Sequence, residues 1–110
     1  MPGSYEIHKS GNGQFNFVLK AENDQVVLRS EQYESKTSAQ NGIASVQANS
    51  PHDGRYEKKE SSDGRWFFNL KAANHQVIGT SQMYASAQAR DAGIASVKEN
   101  GPTPVVEDKT

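Results

Sequence analysis

Cysteine is absent from the 110 residues, which excludes a disulfide framework and any thiolate metal site. No apolar run approaches the roughly 20 residues a helix needs to cross a bilayer. The first ten residues have no basic stretch followed by an apolar core, so no signal peptide is expected and the chain is assigned to the cytoplasm. An excess of charge is missing too. Twelve Lys and Arg stand against 13 Asp and Glu, for a net charge of −1, which lacks the basic footprint of a protein that neutralises many phosphates. The nine Gly and four Pro are too few and too scattered for a fibrous or disordered chain. A chain this short buries only about two-thirds of its unfolded surface. Residues 1–110 are therefore expected to form a single domain around one core.

What the sequence does have is an internal duplication. Residues 5–51 align with residues 56–102 at a constant offset of 51 with no gap, and 21 of the 47 aligned positions are identical. Phe17, Leu19, Lys20 and Ala21 recur as Phe68, Leu70, Lys71 and Ala72, and the stretch Gly42–Val46 (GIASV) recurs whole as Gly93–Val97. A repeat of this period is one supersecondary unit that buries its apolar face against its neighbour. A short tail, 103–110, follows the second unit.

Each unit predicts the same order of elements. Tyr5–Lys9 and Tyr56–Glu60 are short strand candidates, followed by Asn12-Gly13 and Asp63-Gly64, dipeptides that supply positive φ in a hairpin turn. In the next strands Phe15, Phe17 and Leu19, and Trp66, Phe68 and Leu70, recur with a period of two, which puts one apolar face inward. Asn23-Asp24 and Asn74-His75 predict a second turn, and Gln25–Ser30 and Gln76–Ser81 a third strand. Ser35 and Ser86 are N-cap candidates for helices running to Asn49 and Asn100, with apolar faces at Ala39, Ile43 and Val46 and at Ile94 and Val97 beside Arg90. Asn49-Ser50-Pro51 and Asn100-Gly101-Pro102 predict helix stops with a left-handed cap. Gly42 and Gly93 lie on the same helix faces, where a glycine lets helix and sheet approach closely.

The paired stretches FVLKAENDQVV and FNLKAANHQVI, each followed by Tyr-x-Ser and then GIASV with a closing Asn, resemble the YegP-like family of uncharacterised bacterial proteins, which carry tandem repeats of a domain of unknown function. The resemblance covers Tyr5 to about Pro102. It implies an α+β fold in which tandem β-β-β-α(-β) repeats share one antiparallel sheet, with two helices on one face, a pseudo-two-fold axis, and the C-terminal strand of each unit exchanged with the other. Asp24 and His75 stand where such proteins often have Gly. The family brings no established activity, hence no catalytic or binding residues to transfer.

Sites that the residues themselves suggest are few. His8, His52 and His75 do not repeat between units and make no metal-ligand spacing, so neither a metal nor a cofactor is expected. Glu6 and Glu57 repeat, yet an acid-base pair needs a pocket and separated pKa values. Ser30, Ser81, Ser45 and Ser96 have no base at nucleophile spacing. The most repeated polar set is Lys20, Asn23, Gln25 and its equivalent Lys71, Asn74, Gln76, readable as two symmetric partner-binding sites or as strand-end lysines beside turn-forming asparagines. The aromatics of Gly64-Arg65-Trp66-Phe67-Phe68 invite comparison with RNA-binding sheets, but alternation turns Trp66 and Phe68 inward and leaves only Phe67 outward.

The functional expectation is a non-enzymatic interaction or ligand-binding module that uses the sheet face without helices, where alternation places Val18, Phe67, Val27 and Ile78. Its partner would be a protein or a small ligand, with no membrane involved. Single-stranded nucleic-acid binding and a small enzyme are the alternatives. A monomer is expected, with open sheet edges leaving a dimer available.

Overall fold

The computed structural model describes residues 3–110. The strands are β1 (Ser4–Lys9), β2 (Phe15–Lys20), β3 (Val26–Arg29), β4 (Tyr56–Glu60), β5 (Trp66–Lys71), β6 (Val77–Thr80) and β7 (Val106–Asp108), and the helices are α1 (Lys36–Asn49) and α2 (Ala87–Asn100). The strands form one sheet in the order β4-β5-β6-β3-β2-β1-β7. The two units meet at the antiparallel β3–β6 pair, where Arg29 lies opposite its own repeat equivalent, Thr80. That pair marks the pseudo-two-fold axis.

Local chemistry sets the element boundaries. Gly13 and Gly64 take φ of +84° in the first turns, and Asp24 (φ 66°) and His75 (φ 70°) adopt the left-handed backbone of the second. The Ser35 hydroxyl accepts from the Ser38 N–H at 3.1 Å, and that of Ser86 from the Ala89 N–H at 3.0 Å, so both helices open on a serine N-cap. Their ends differ from expectation. Ser50 and Gly101 remain right-handed, at φ −59° and −56°, and the chain leaves each helix without the left-handed residue.

Alternation puts Tyr5, Ile7, Phe17, Leu19, Phe68 and Leu70 on the face that receives Ala39, Ile43 and Val46 of α1 and Ile94 and Val97 of α2. Each aromatic or aliphatic side chain buried this fully contributes about 1.5–3 kcal/mol. The helices cross between units: α1 packs on β2, β5 and β6, and α2 on β5, β3 and β2. Gly42 and Gly93 sit against the ring ends of Tyr33 and Tyr84; a Cβ on Gly42 would stand 2.5 Å from the Tyr33 hydroxyl. Those tyrosines in turn stack on Phe17 and Phe68, with centroids 6.1 and 6.5 Å apart.

Two features depart from the expected sheet. β7 runs parallel to β1, so the sheet is mixed. Exchange also occurs on one side only: the second unit's tail crosses to β1, whereas the chain after α1 passes through one 3-10 turn (Asp53–Arg55) straight into β4. In addition, the β2–β3 register slips between Leu19 and Lys20 and the β5–β6 register between Leu70 and Lys71. These bulges break the alternation, and Val27 and Ile78 join the core cluster instead of the helix-free face.

Candidate functional site

The helix-free face is organised by one row of residues running across six strands: Glu6, Val18, Arg29, Thr80, Asn69 and Glu57. Because paired residues on neighbouring strands share a side, all six point away from the helices. Val18 is only 7% exposed without belonging to the core cluster, so its side chain is covered by its neighbours on this face. Phe67 is half-buried on the same side, opposite Lys59. Trp66 faces the helices as alternation predicts but lies at the rim, half-buried, under the Arg90 guanidinium at 5.2 Å from the ring centroid.

The charges at the two ends of the row are spoken for. Lys20 Nζ lies 3.0 Å from Glu6 and Lys71 Nζ 2.9 Å from Glu57. His8 also contacts Glu6 at 3.1 Å. In the second unit the Thr80 hydroxyl donates to Asn69 Oδ1 at 2.8 Å and the Asn69 amide to Glu57 at 3.1 Å. Hydrogen bonding to Lys20 holds the Glu6 carboxyl below the ordinary carboxylate range, and Lys71 does the same for Glu57. A general acid needs the opposite shift. The two carboxylates also stand five strand spacings apart, roughly 24 Å at about 4.8 Å each, too far to act on one bond.

The repeated sets divide between two surfaces. Lys20 and Lys71 reach the helix-free face, whereas Asn23 and Asn74 use their side-chain oxygens to accept the Gln25 and Gln76 N–H groups, each at 3.1 Å. Asn23 and Gln25 line a cleft with Tyr84, Gly93 and Ser96, on the α2 side. The structure thus keeps each lysine with its glutamate and each asparagine with its turn. The three histidines lie in β1, before the 3-10 turn and in the β5–β6 turn, and no group of three metal-capable side chains occurs among the described residues. Among those residues no helix is long and apolar enough to cross a membrane.

A comparison of identities between the repeats passes over Arg29. It is exposed at the centre of the row and has no carboxylate partner among the described residues. Its repeat equivalent is Thr80, so the signal lies in the difference between the units.

Comparison with known proteins finds the family model "Domain of unknown function (DUF1508)" matching twice, at residues 10–57 and 61–108. The UPF0339 protein YegP of Escherichia coli K12 is 61% identical over 110 residues, covering all of both chains. A UPF0339 protein of Shewanella oneidensis is 58% identical over 110 residues, again covering both in full. The solution NMR structure of the E. coli YegP protein, described as of unknown function, superposes with a TM-score of 0.95 at 61% identity, over 100% of this chain and 95% of that one. That of the S. oneidensis protein gives 0.93 at 58% identity, over 98% and 92%. These relatives carry no enzymatic name.

Proposed function

The chain belongs to the DUF1508, YegP-like family, and for it we propose a non-enzymatic interaction module, working in the cytoplasm, that engages a partner through the helix-free face of its sheet. The observation that carries this reading is the unpaired, exposed Arg29 at the centre of a row whose outer carboxylates are each held by a lysine. An Arg fork is the side chain best shaped to take a carboxylate or phosphate through two parallel hydrogen bonds. The half-buried Phe67 on the same face supplies apolar contact area. Lys20 and Lys71 flank the face at opposite ends, each paired with its glutamate.

The test is affinity capture from lysate with the wild-type chain, Arg29→Glu and Phe67→Ser in parallel. A partner recovered by the wild type and lost with Arg29→Glu supports the reading. Recovery of the same partners by all three overturns the use of this face.

A further inference from the structure

The two outer strands of the repeat array end differently. On β1 the chain's own tail adds β7 as a parallel strand, with Tyr5 beside Val106 and Ile7 beside Asp108. The Tyr5 N–H donates to the Val105 carbonyl and the Lys109 N–H to the Ile7 carbonyl, both at 2.9 Å. The Gln47 amide of α1 donates to the Thr103 carbonyl at 2.8 Å, and Lys36 pairs with Asp108 at 2.8 Å. Under this cover Tyr5 is 0% and Ile7 1% exposed.

Among the described residues, the equivalent place in the second unit has no such strand. Tyr56, the counterpart of Tyr5, is half-buried, and Lys58, the counterpart of Ile7, is exposed. Between β4 and α2 lies a cavity of about 450 Å³ walled by Tyr56, Ile94 and Ala95. Lys58 pairs with Asp91 at 3.3 Å at its rim, and Lys98, the counterpart of Gln47, pairs with Asp53 and stands 5.8 Å from the Tyr56 ring centroid. Pairs this exposed are worth about 0–1 kcal/mol and exchange readily.

We propose that this groove accepts an extended segment of another protein, a small β-branched residue followed by two acidic residues, as an eighth strand parallel to β4. The form of the occupant follows from what the same architecture already holds on β1: Val106, Glu107 and Asp108. In the register of β1 the first acidic side chain would lie beside Glu57 on the helix-free face, as Glu107 lies beside Glu6, and share the lysines Lys59 and Lys71 that pair with Glu57. The second would lie beside Lys58 on the helix side. Lys98 stands where Gln47 donates to the tail, and an ammonium there can donate to a segment carbonyl in the same way.

The Tyr56 N–H is bonded to the Asp53 carbonyl, so the ladder begins one donor later than on β1 and the docking is correspondingly weaker and reversible. Edge lysines also disfavour basic or wholly apolar strands, which selects for the acidic segment. A second copy is a poor occupant, because each copy's tail is held on its own β1 at the high effective concentration of an intramolecular contact.

The test uses the full chain, isotopically labelled, titrated with a synthetic peptide of the sequence Thr-Pro-Val-Val-Glu-Asp. Amide shifts confined to β4 and α2, at Lys58, Lys59, Ala95 and Lys98, are expected, with a Glu/Asp-to-Lys version of the peptide giving none. Lys58→Glu should weaken binding roughly two- to five-fold, the scale of one exposed ion pair, and Ala95→Arg, on an exposed position of the groove wall, should abolish it while leaving the rest of the spectrum unchanged. Absence of shifts at millimolar peptide, or shifts only on β1 and β7 from displacement of the tail, would overturn the proposal. Shifts centred on Arg29 and Phe67 would overturn it as well and move the peptide to the helix-free face.

Discussion

Leu28 fills the space that a side chain on Gly79 would need: a Cβ built on Gly79 stands 2.6 Å from Leu28 Cδ2. The two residues are repeat equivalents on adjoining strands, and Leu28 is completely buried. The duplicated core therefore has one large side chain and one empty position at its symmetry axis, because two leucines would not fit. Gly79→Ala is expected to destabilise by about 1–3 kcal/mol through overpacking, and Leu28→Ala by about 2–5 kcal/mol through the cavity it leaves. The double variant should cost less than the sum, since each change makes room for the other. Urea denaturation of the four proteins measures this coupling; strict additivity would show that the two side chains do not compete for space.

The crossing of the helices makes the units interdependent. Since α1 packs on β5 and β6 as well as on β2, a chain ending at Pro51 would leave half of its apolar helix face exposed. Residues 1–51 expressed alone should be unfolded or self-associated, because about 50 residues bury too little surface for stability. A monomeric half with a cooperative melt would contradict this.

Burial ranks the aromatic positions of β5. Phe68 is fully buried, so Phe68→Ala should cost about 3–5 kcal/mol. Trp66 lies at the rim and is held by Arg90, a stacking worth about 0.5–2 kcal/mol, and Trp66→Ala should cost clearly less than Phe68→Ala despite the larger ring. Phe67→Ser should cost least, on the order of 1 kcal/mol. Thermal or chemical denaturation gives the order directly, and a larger loss at Trp66 than at Phe68 would refute it.

Ser50 presents a buried hydroxyl without a hydrogen-bond partner among the described residues. An unsatisfied buried donor costs about 1–3 kcal/mol. Ser50→Ala is accordingly expected to be neutral or stabilising, readable as an unchanged or raised melting temperature, even though the residue is fully buried.

Much of the architecture is legible in the sequence because it rests on local chemistry. The period of two in Phe15–Leu19 and Trp66–Leu70, the glycines at 13 and 64, and the N-caps at Ser35 and Ser86 each specify their element through nearby residues alone. The features that escape are set at longer range. The bulges that turn Val27 and Ile78 into the core depend on register with β2 and β5. The right-handed ends at Ser50 and Gly101 are fixed where the two helix termini meet, and the Tyr56 and Tyr5 hydroxyls donate to their carbonyls at 2.7 and 2.6 Å. Arg29 and the groove beside β4 are marked by positions where the repeats differ, Arg29/Thr80, Ile7/Lys58 and Gln47/Lys98, so a comparison built on their identities passes over both.

The paired carboxylates give the face a defined response to acid. Glu6 and Glu57 each have a folded-state pKa below the ordinary value of 4.5, chiefly through the hydrogen bond from Lys20 or Lys71. A depressed carboxyl binds fewer protons when folded than when unfolded, so its contribution to stability is complete above the unfolded pKa and is lost as pH falls through the folded one. Stability should therefore hold above about pH 5 and decline as the solution is acidified below the ordinary carboxyl range. Carboxyl-carbon NMR titration checks the origin: both midpoints should fall below 4.5. Lys20→Met should raise the Glu6 midpoint while leaving that of Glu57 in place, because about 24 Å separates the pairs and the Debye length is about 8–10 Å at moderate salt. Movement of both midpoints with the single substitution would show that the two ends of the face are coupled through the sheet.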